Sequence, residues 1–241
     1  MSLPPGLPSY EFLRSLQPST DLPGYYHLRI RKQADGRHPL LAPDGVPVFT
    51  PISMEAFFGK PGPIEIEIGC GKGGFLVEYC EKHPDYPFVG LEWEPEIACM
   101  AARRLVKRPH LPHARVLLGD AFYFFRDFLP EASVRAFHMY FPDPWPKKRH
   151  HKNRLMAHPF MAQVLRTALP DAHFHWGTDH QEYNAEAQEL FASLPWLEMA
   201  DPDAEPTEGI MTNFEKKYRK QGKPIYRCVM RVRKGGAEGG V

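Results

Sequence analysis

From residue 64 onward, short apolar-rich runs alternate with longer stretches whose apolar residues recur every three or four positions. The short runs are "IEIEI" (64–68), "FVGLE" (88–92), "ARVLLGD" (114–120), "VRAFHMYF" (134–141) and "AHFHWGTD" (172–179). Runs of this length and composition predict strands. Between them the longer period predicts helices from Gly73 to Lys82, over 94–108, over 121–129, from His158 to Ala168 and over 181–194. His83-Pro84 marks the end of the first, because proline disfavours the α conformation at the residue before it. Pro95 suits the first turn of the second, where its missing N–H costs nothing. Strands alternating with helices imply parallel crossovers and an α/β, doubly wound, mostly parallel sheet.

Residues 1–63 break this pattern. They hold eleven of the 26 prolines and show no sustained period. They read as an irregular N-terminal extension, followed by a domain over 64–233 and a disordered tail over 234–241. With 241 residues, 43% of them hydrophobic, the chain can build one sizeable core. The net charge of +1 means that a polyanionic partner must meet a local patch. Cys70, Cys80, Cys99 and Cys228 show no metal-ligand spacing, so neither a metal site nor a disulfide framework is expected. "MSLPPGLPSY" has no secretory pattern, and no apolar run approaches the about 20 residues of a membrane helix. A cytoplasmic protein with no membrane association is expected; monomer and homodimer both stay open.

Open α/β sheets bind ligands beyond the carboxyl ends of their strands. After the first run comes "GCGKGG" (69–74), in which Gly69 and Gly71 permit a tight turn and close approach of a ligand. Glu92 ends the second run, 18 residues past Gly74, where an acid can accept from ribose hydroxyls. Asp120 ends the third and is either a ligand contact or the N-cap of the next helix. Glu67 lies inside the first strand, where a charge needs partners: the glycine-loop N–H groups or a ligand cation. These features suit a nicotinamide dinucleotide or S-adenosylmethionine equally.

The segment "FPDPWPKKRHHKNR" (141–154) follows the fourth strand. Its alternating prolines stiffen the chain around Asp143 and Trp145, as the positioning of a reactant requires. Trp145 and Tyr140 offer faces for stacking a base, and Lys147, Lys148, Arg149, Lys152 and Arg154 offer phosphate contacts. Met211 to Lys234 adds nine Lys or Arg against one acid, Glu215. This local basicity points to nucleic acid.

"EIGCGKGGFL", "FPDPWPKKRHHKNR", "GTDHQEY" and "TNFEKKYRKQGKPIY" together, in order and spacing, resemble the bacterial tRNA (guanine-N7)-methyltransferase family over residues 64–233. The resemblance implies a Rossmann-like class I methyltransferase fold and S-adenosyl-L-methionine as cofactor. It implies methylation of guanine N7 in the tRNA variable loop, at position 46 by tRNA convention. By motif, Glu67, Glu92, Asp120 and Asp143 look like the family's cofactor-contacting acids, with Asp143 also its catalytic residue. Lys147, Asp179, Thr212, Asn213, Phe214 and Glu215 look like substrate contacts. Arg149, His150, His151, Lys152, Asn153 and Arg154 fall on its RNA-binding segment. The sequence departs from the family's common Lys or Arg at Asn153, Lys at Asn213 and Trp at His180.

Structural readings compete at several of these positions. "TDHQE" suits Asp179 as a helix N-cap with Glu182 three residues on, and "TNFE" suits Thr212 and Glu215 in the same way. His173 and His175 share a strand face and read as packed histidines, not as metal ligands. On the methyltransferase reading, guanine N7 already has a lone pair, so Asp143 is expected to orient and stabilise growing positive charge. Asp179 or Glu215 is expected to accept from guanine N1–H and N2–H. Two alternatives remain at the level of sequence: a nicotinamide-dinucleotide oxidoreductase, which leaves the basic segment unexplained, and a non-catalytic RNA-binding protein, which leaves the carboxyl-edge acids unexplained.

Overall fold

The structure, a computed structural model, describes residues 12–32, 53–58, 61–145, 147–201, 207 and 209–234. Its strands are β1 (Phe12–Pro18), β2 (Tyr25–Lys32), β3 (Ile64–Ile68), β4 (Phe88–Glu92), β5 (Ala114–Leu118), β6 (Val134–Tyr140), β7 (Ala168–Thr178), β8 (Leu197–Met199) and β9 (Tyr226–Val232). Its helices are α1 (Met54–Phe58), α2 (Gly74–Lys82), α3 (Pro95–Val106), α4 (Ala121–Phe128), α5 (His158–Thr167), α6 (Gln181–Ala192) and α7 (Asn213–Lys220), with a 3-10 helix over Lys148–Asn153. Among the described residues the strands form one sheet in the order β1-β2-β5-β4-β3-β6-β7-β9-β8. The pairs from β2 to β7 are parallel, whereas β1–β2, β7–β9 and β8–β9 are antiparallel. The doubly wound, mostly parallel expectation holds.

Chain order reverses at β3, which lies between β4 and β6. At such a switch point the following connections leave to opposite faces and open a crevice. Here the crevice lies between the glycine loop after β3 and the proline-rich loop after β6. One face of the sheet buries Ile64, Ile66, Phe124, Phe125, Phe137, Phe160, Phe174 and Trp176. The other buries Phe75, Leu76, Ala98, Ala101 and Val116 beneath α2 and α3. A Cβ on Gly90 would lie 2.4 Å from Leu76 Cδ1, so glycine lets α2 rest directly on β4.

Both acids of "IEIEI", Glu65 and Glu67, are buried. Glu65 accepts from His138 Nε2 at 3.1 Å and pairs with Arg135. Burial alone would raise its pKa, but His138 and Arg135 hold it below the usual value. His138 stacks on His175, ring centroids 4.7 Å apart. Burial, helped by His138 and His173, pushes the His175 pKa well down, so it packs as a neutral ring. The packed-histidine reading of this strand therefore stands for His175.

Several boundaries differ from expectation. The extension is not irregular throughout: residues 12–32 form an antiparallel hairpin, and β2 adds to the sheet beside β5. The alternation at Tyr26, Leu28 and Ile30 was its sequence signal. Residues 1–11 and 33–52 lie outside the described residues, as do 235–241 of the tail. β7 starts at Ala168, where α5 passes into it without a loop. The antiparallel β8–β9 edge is missing from the sequence reading, because three-residue β8 has too little pattern to read. Among the described residues, no helix is long and apolar enough to cross a membrane.

Candidate cofactor and RNA site

Three glycines turn the chain from β3 into α2: Gly69 at φ 78°, Gly71 at φ 54° and Gly73 at φ 68°. L side chains rarely adopt this left-handed region. A Cβ on Gly69 or Gly71 would meet nothing within 4 Å, so the loop faces open space. Glu92 braces it from the end of β4. Its Oε2 accepts from Gly71 N at 2.9 Å, and its Oε1 accepts from Trp93 N at 2.9 Å and Glu94 N at 3.0 Å. An ionised carboxylate has about four acceptor sites. These three bonds leave capacity for a ligand hydroxyl, so Glu92 can brace the loop and hold a ribose together.

Glu67 lies beneath the loop. It accepts from the Leu76 backbone N–H in the first turn of α2. Its Oε2 is buried without a hydrogen-bond partner among the described residues. Burial first, and then the Glu92 carboxylate, push its pKa well above the usual range. Open space above the glycines and an orphaned acid oxygen below them fit a cofactor that carries positive charge. Asp120 caps α4, accepting from Tyr123 N at 3.3 Å, and is exposed at the end of β5. Both readings of Asp120 therefore remain compatible with its position.

Beyond β6 the chain is anchored by Phe141 N, which donates to Gly177 O at 2.6 Å. Phe141 and Trp145 have φ of 53° and 44°. Left-handed backbone at a bulky residue costs about 1–2 kcal/mol, and here it flanks exposed Asp143 on both sides. Arg154 ties this loop to α6. It is 6% exposed, its Nε donates to Pro144 O at 2.7 Å, and its guanidinium pairs with Glu186 and lies 4.7 Å from the Tyr183 ring centroid. The expectation that Arg154 offers a phosphate contact is corrected: its charge faces inward and holds the loop.

Tyr140 also departs from expectation. It is 6% exposed and packs edge-on to Phe75 at 5.0 Å, so it has no open face for a base. Trp145 is half-buried and edge-on to His150 at 5.9 Å. Lys147 and Arg149 are exposed. Arg149 Nε donates to His150 Nε2 at 3.1 Å. His151 lies 3.6 Å from Glu186 and 3.8 Å from Glu182, towards α6. The side chains of Lys148, Lys152 and Asn153, and all of Pro146, lie outside the described residues.

The N-cap of α6 is His180, not Asp179. His180 Nδ1 accepts from Tyr183 N at 3.3 Å, and His180 N donates to Thr178 Oγ1 at 3.1 Å. The cap is shifted by one residue, which frees Asp179. Its carboxylate accepts from Lys223 Nζ at 3.2 Å. Thr212 does cap α7, accepting from Glu215 N at 3.1 Å. Glu215 is 0% exposed; it accepts from Arg219 Nε at 2.8 Å and pairs with Arg227. The expectation that Glu215 reads a base edge is corrected here, because the carboxylate is buried and both of its oxygens are taken up by Arg219 and Arg227.

Asn213 reaches the cofactor side: a Cβ on Gly74 would lie 2.9 Å from Asn213 Nδ2. Phe214 is 49% exposed and forms an aromatic wall with Phe141 and Tyr218, whose ring centroids lie 5.6–6.4 Å apart. Lys223 Nζ lies 4.2 Å from the Tyr218 centroid. Phe141, Tyr218, Arg227 and Lys223 lie in the motifs and the basic stretch read from the sequence but were not singled out there as site residues. Only the Glu215–Arg219 spacing of four residues on a helix could have shown part of this network.

A family profile described as "Putative methyltransferase" matches residues 61–228. The tRNA (guanine-N(7)-)-methyltransferase of Rhodopirellula baltica is 34% identical over 204 residues, 80% of this chain and 74% of that protein. The protein of the same name from Geobacillus thermodenitrificans is 35% identical over 175 residues, 71% of this chain and 80% of that protein. The one from Thermotoga maritima is 31% identical over 196 residues, and the match spans 62% of its length. Among solved structures, the 16S rRNA methyltransferase KamB superposes with a TM-score of 0.54 over 83% of this chain and 97% of its own. At 12% identity that likeness shows the class I methyltransferase fold alone. The glycine loop, the carboxyl-edge acids and the proline-rich loop thus lie within the stretch that the family profile matches, and the chain belongs to the bacterial tRNA (guanine-N7)-methyltransferase family.

Proposed function

We propose that this protein uses S-adenosylmethionine to methylate N7 of a guanosine in tRNA, the variable-loop guanosine at position 46. The observation that carries the reading is the placement of Asp143 and Asp179 beyond the adjacent strand ends of β6 and β7, beside the switch-point glycine loop. When bound, the cofactor supplies the methyl group together with a positive charge that passes to the purine. Glu92 and Glu67 hold the cofactor at the glycine loop, and Asp120 borders it from β5. Asp143, on a loop stiffened by proline and fixed by Arg154, is the catalytic carboxylate. It orients the reacting groups and stabilises positive charge as it grows. Guanine N7 needs no proton removed, so no general base is required.

Asp179 is the acid for base choice. Guanine presents donors at N1 and N2, whereas adenine presents an acceptor at N1, which a carboxylate repels. Lys223 and the Thr212–Glu215 cap bring the α7 segment to this acid, with Asn213 and Phe214 on its exposed surface. Lys147 and Arg149 continue the surface as phosphate contacts, and Lys152, His150, His151 and Asn153 belong to the same segment. A tRNA substrate implies cytoplasmic action. Neither a nicotinamide oxidoreductase nor a non-catalytic RNA-binding protein accounts for both the acids and the basic segment.

The test is methyl transfer from labelled cofactor to bulk tRNA, followed by nucleoside analysis and mapping of the modified position. Formation of 7-methylguanosine at position 46 is expected. Label on another base, or none with intact cofactor binding, would reject the reading.

A further inference from the structure

Glu67 combines burial, a half-used carboxyl and an acidic neighbour. It is 3% exposed, in register with Gly90 of β4 and His138 of β6. It takes the Leu76 N–H at a helix start whose N-cap, Gly73, offers no side-chain acceptor. Glu67 therefore caps α2 from within the sheet. Its Oε2 has no partner, which is costly for a buried polar atom.

The groups that face it do not favour its charge. They are Glu92 from β4, Cys70 from the glycine loop, Cys80 from α2 and Tyr140 from β6. Burial pushes both thiols and the phenol away from ionising. His138, the register neighbour, is bonded to Glu65. Lys72, on the loop above, is exposed. Among the described residues, the Leu76 N–H and the N-terminal end of α2 are what support a carboxylate here. A desolvated acid next to another acid stays neutral until an opposite charge arrives.

We propose that Glu67 carries a proton in the cofactor-free protein and releases it when the cationic cofactor binds, so that S-adenosylmethionine uptake is coupled to proton release. The inference rests on the assignment of the glycine loop as the cofactor site. The cofactor's positive charge supplies the counter-charge that the surrounding side chains lack, and the proton leaves to the buffer. The freed Oε2 then gains a partner in place of its unpaired state.

Calorimetric titration of the full chain with S-adenosylmethionine at pH 7, in phosphate and in Tris, measures the protons exchanged from the difference in heats. Net proton release, of at most one proton per cofactor, is expected. Glu67→Gln, which resembles the neutral acid in shape and charge but cannot ionise, is expected to bind more weakly and with no proton release. Equal heats in both buffers for the wild-type protein would overturn the proposal. Release that persists in Glu67→Gln would also overturn it, by assigning the proton to another group. If the variant does not bind, the wild-type pH dependence decides. Affinity should rise with pH above the ordinary carboxylate range, by at most about tenfold per pH unit for one proton, and a flat profile refutes the coupling. Absence of binding by the wild-type protein itself would instead remove the cofactor site, and the inference with it.

Discussion

Arg154 and Pro144, ten residues apart, are joined by a 2.7 Å hydrogen bond from the guanidinium Nε to the carbonyl. The same guanidinium pairs with Glu186 on α6. A residue from the basic segment thus holds the loop that carries Asp143.

Arg154→Met should therefore disturb the loop and not the RNA surface. Losing a charged hydrogen bond costs about 1.5–3 kcal/mol, visible as a lower melting temperature. Methyl transfer should fall with it. The salt dependence of tRNA binding should stay unchanged, since no phosphate contact is removed; a flatter salt slope would return Arg154 to the RNA surface.

Lys147 and Arg149 should behave in the opposite way. Replacing both with Ala should leave the stability within about 0.5 kcal/mol of wild type. Binding to tRNA should weaken, and its salt slope should flatten by about 1.4–1.8 log units per log unit of salt. Filter binding between low and moderate salt checks this.

Asp179 and Glu215 separate recognition from folding. Asp179→Asn should cut guanosine turnover with little loss of stability, because His180 and not Asp179 caps α6. His180→Ala should cost about 1 kcal/mol. Glu215→Ala removes a fully buried carboxylate that ties α7 to Arg227 of β9, so its activity should fall in step with its melting temperature. Thermal melts alongside single-turnover rates distinguish the two patterns.

Glu92→Ala should reduce cofactor affinity about ten- to a hundred-fold, through a lost charged acceptor worth about 1.5–3 kcal/mol. Since Glu92 also binds Gly71 N, amide exchange in the glycine loop should speed up even without cofactor. Unaltered affinity would remove Glu92 from the site.

The pH dependence of stability tests Glu67 without any ligand. Its folded-state pKa is raised by burial and by Glu92. A raised acid binds its proton more tightly folded than unfolded, so stability is lost as pH climbs above the unfolded value of about 4.3 towards the folded one. Glu67→Gln escapes this loss. Its melting temperature should match wild type near pH 4 and exceed it increasingly at higher pH. A constant difference across that range would show an ionised Glu67 in the free protein.

The strand–helix alternation, the switch-point glycine loop and the acids at strand ends were legible because each is written in local spacing. The period of apolar residues, the φ preference of glycine and the position of an acid after a strand need no distant partner. The sequence by itself also supported the family, through four motifs in order. Tertiary structure alone decided what each charged side chain does. Arg154 belongs to the loop and not to RNA, Glu215 is enclosed by Arg219 and Arg227, and Tyr140 is sealed beneath α2. Asp179 is released from capping by a one-residue shift. The physical reason is common to all four: a charge or ring is turned inward or outward by groups brought near by folding, and burial sets the worth of that pairing.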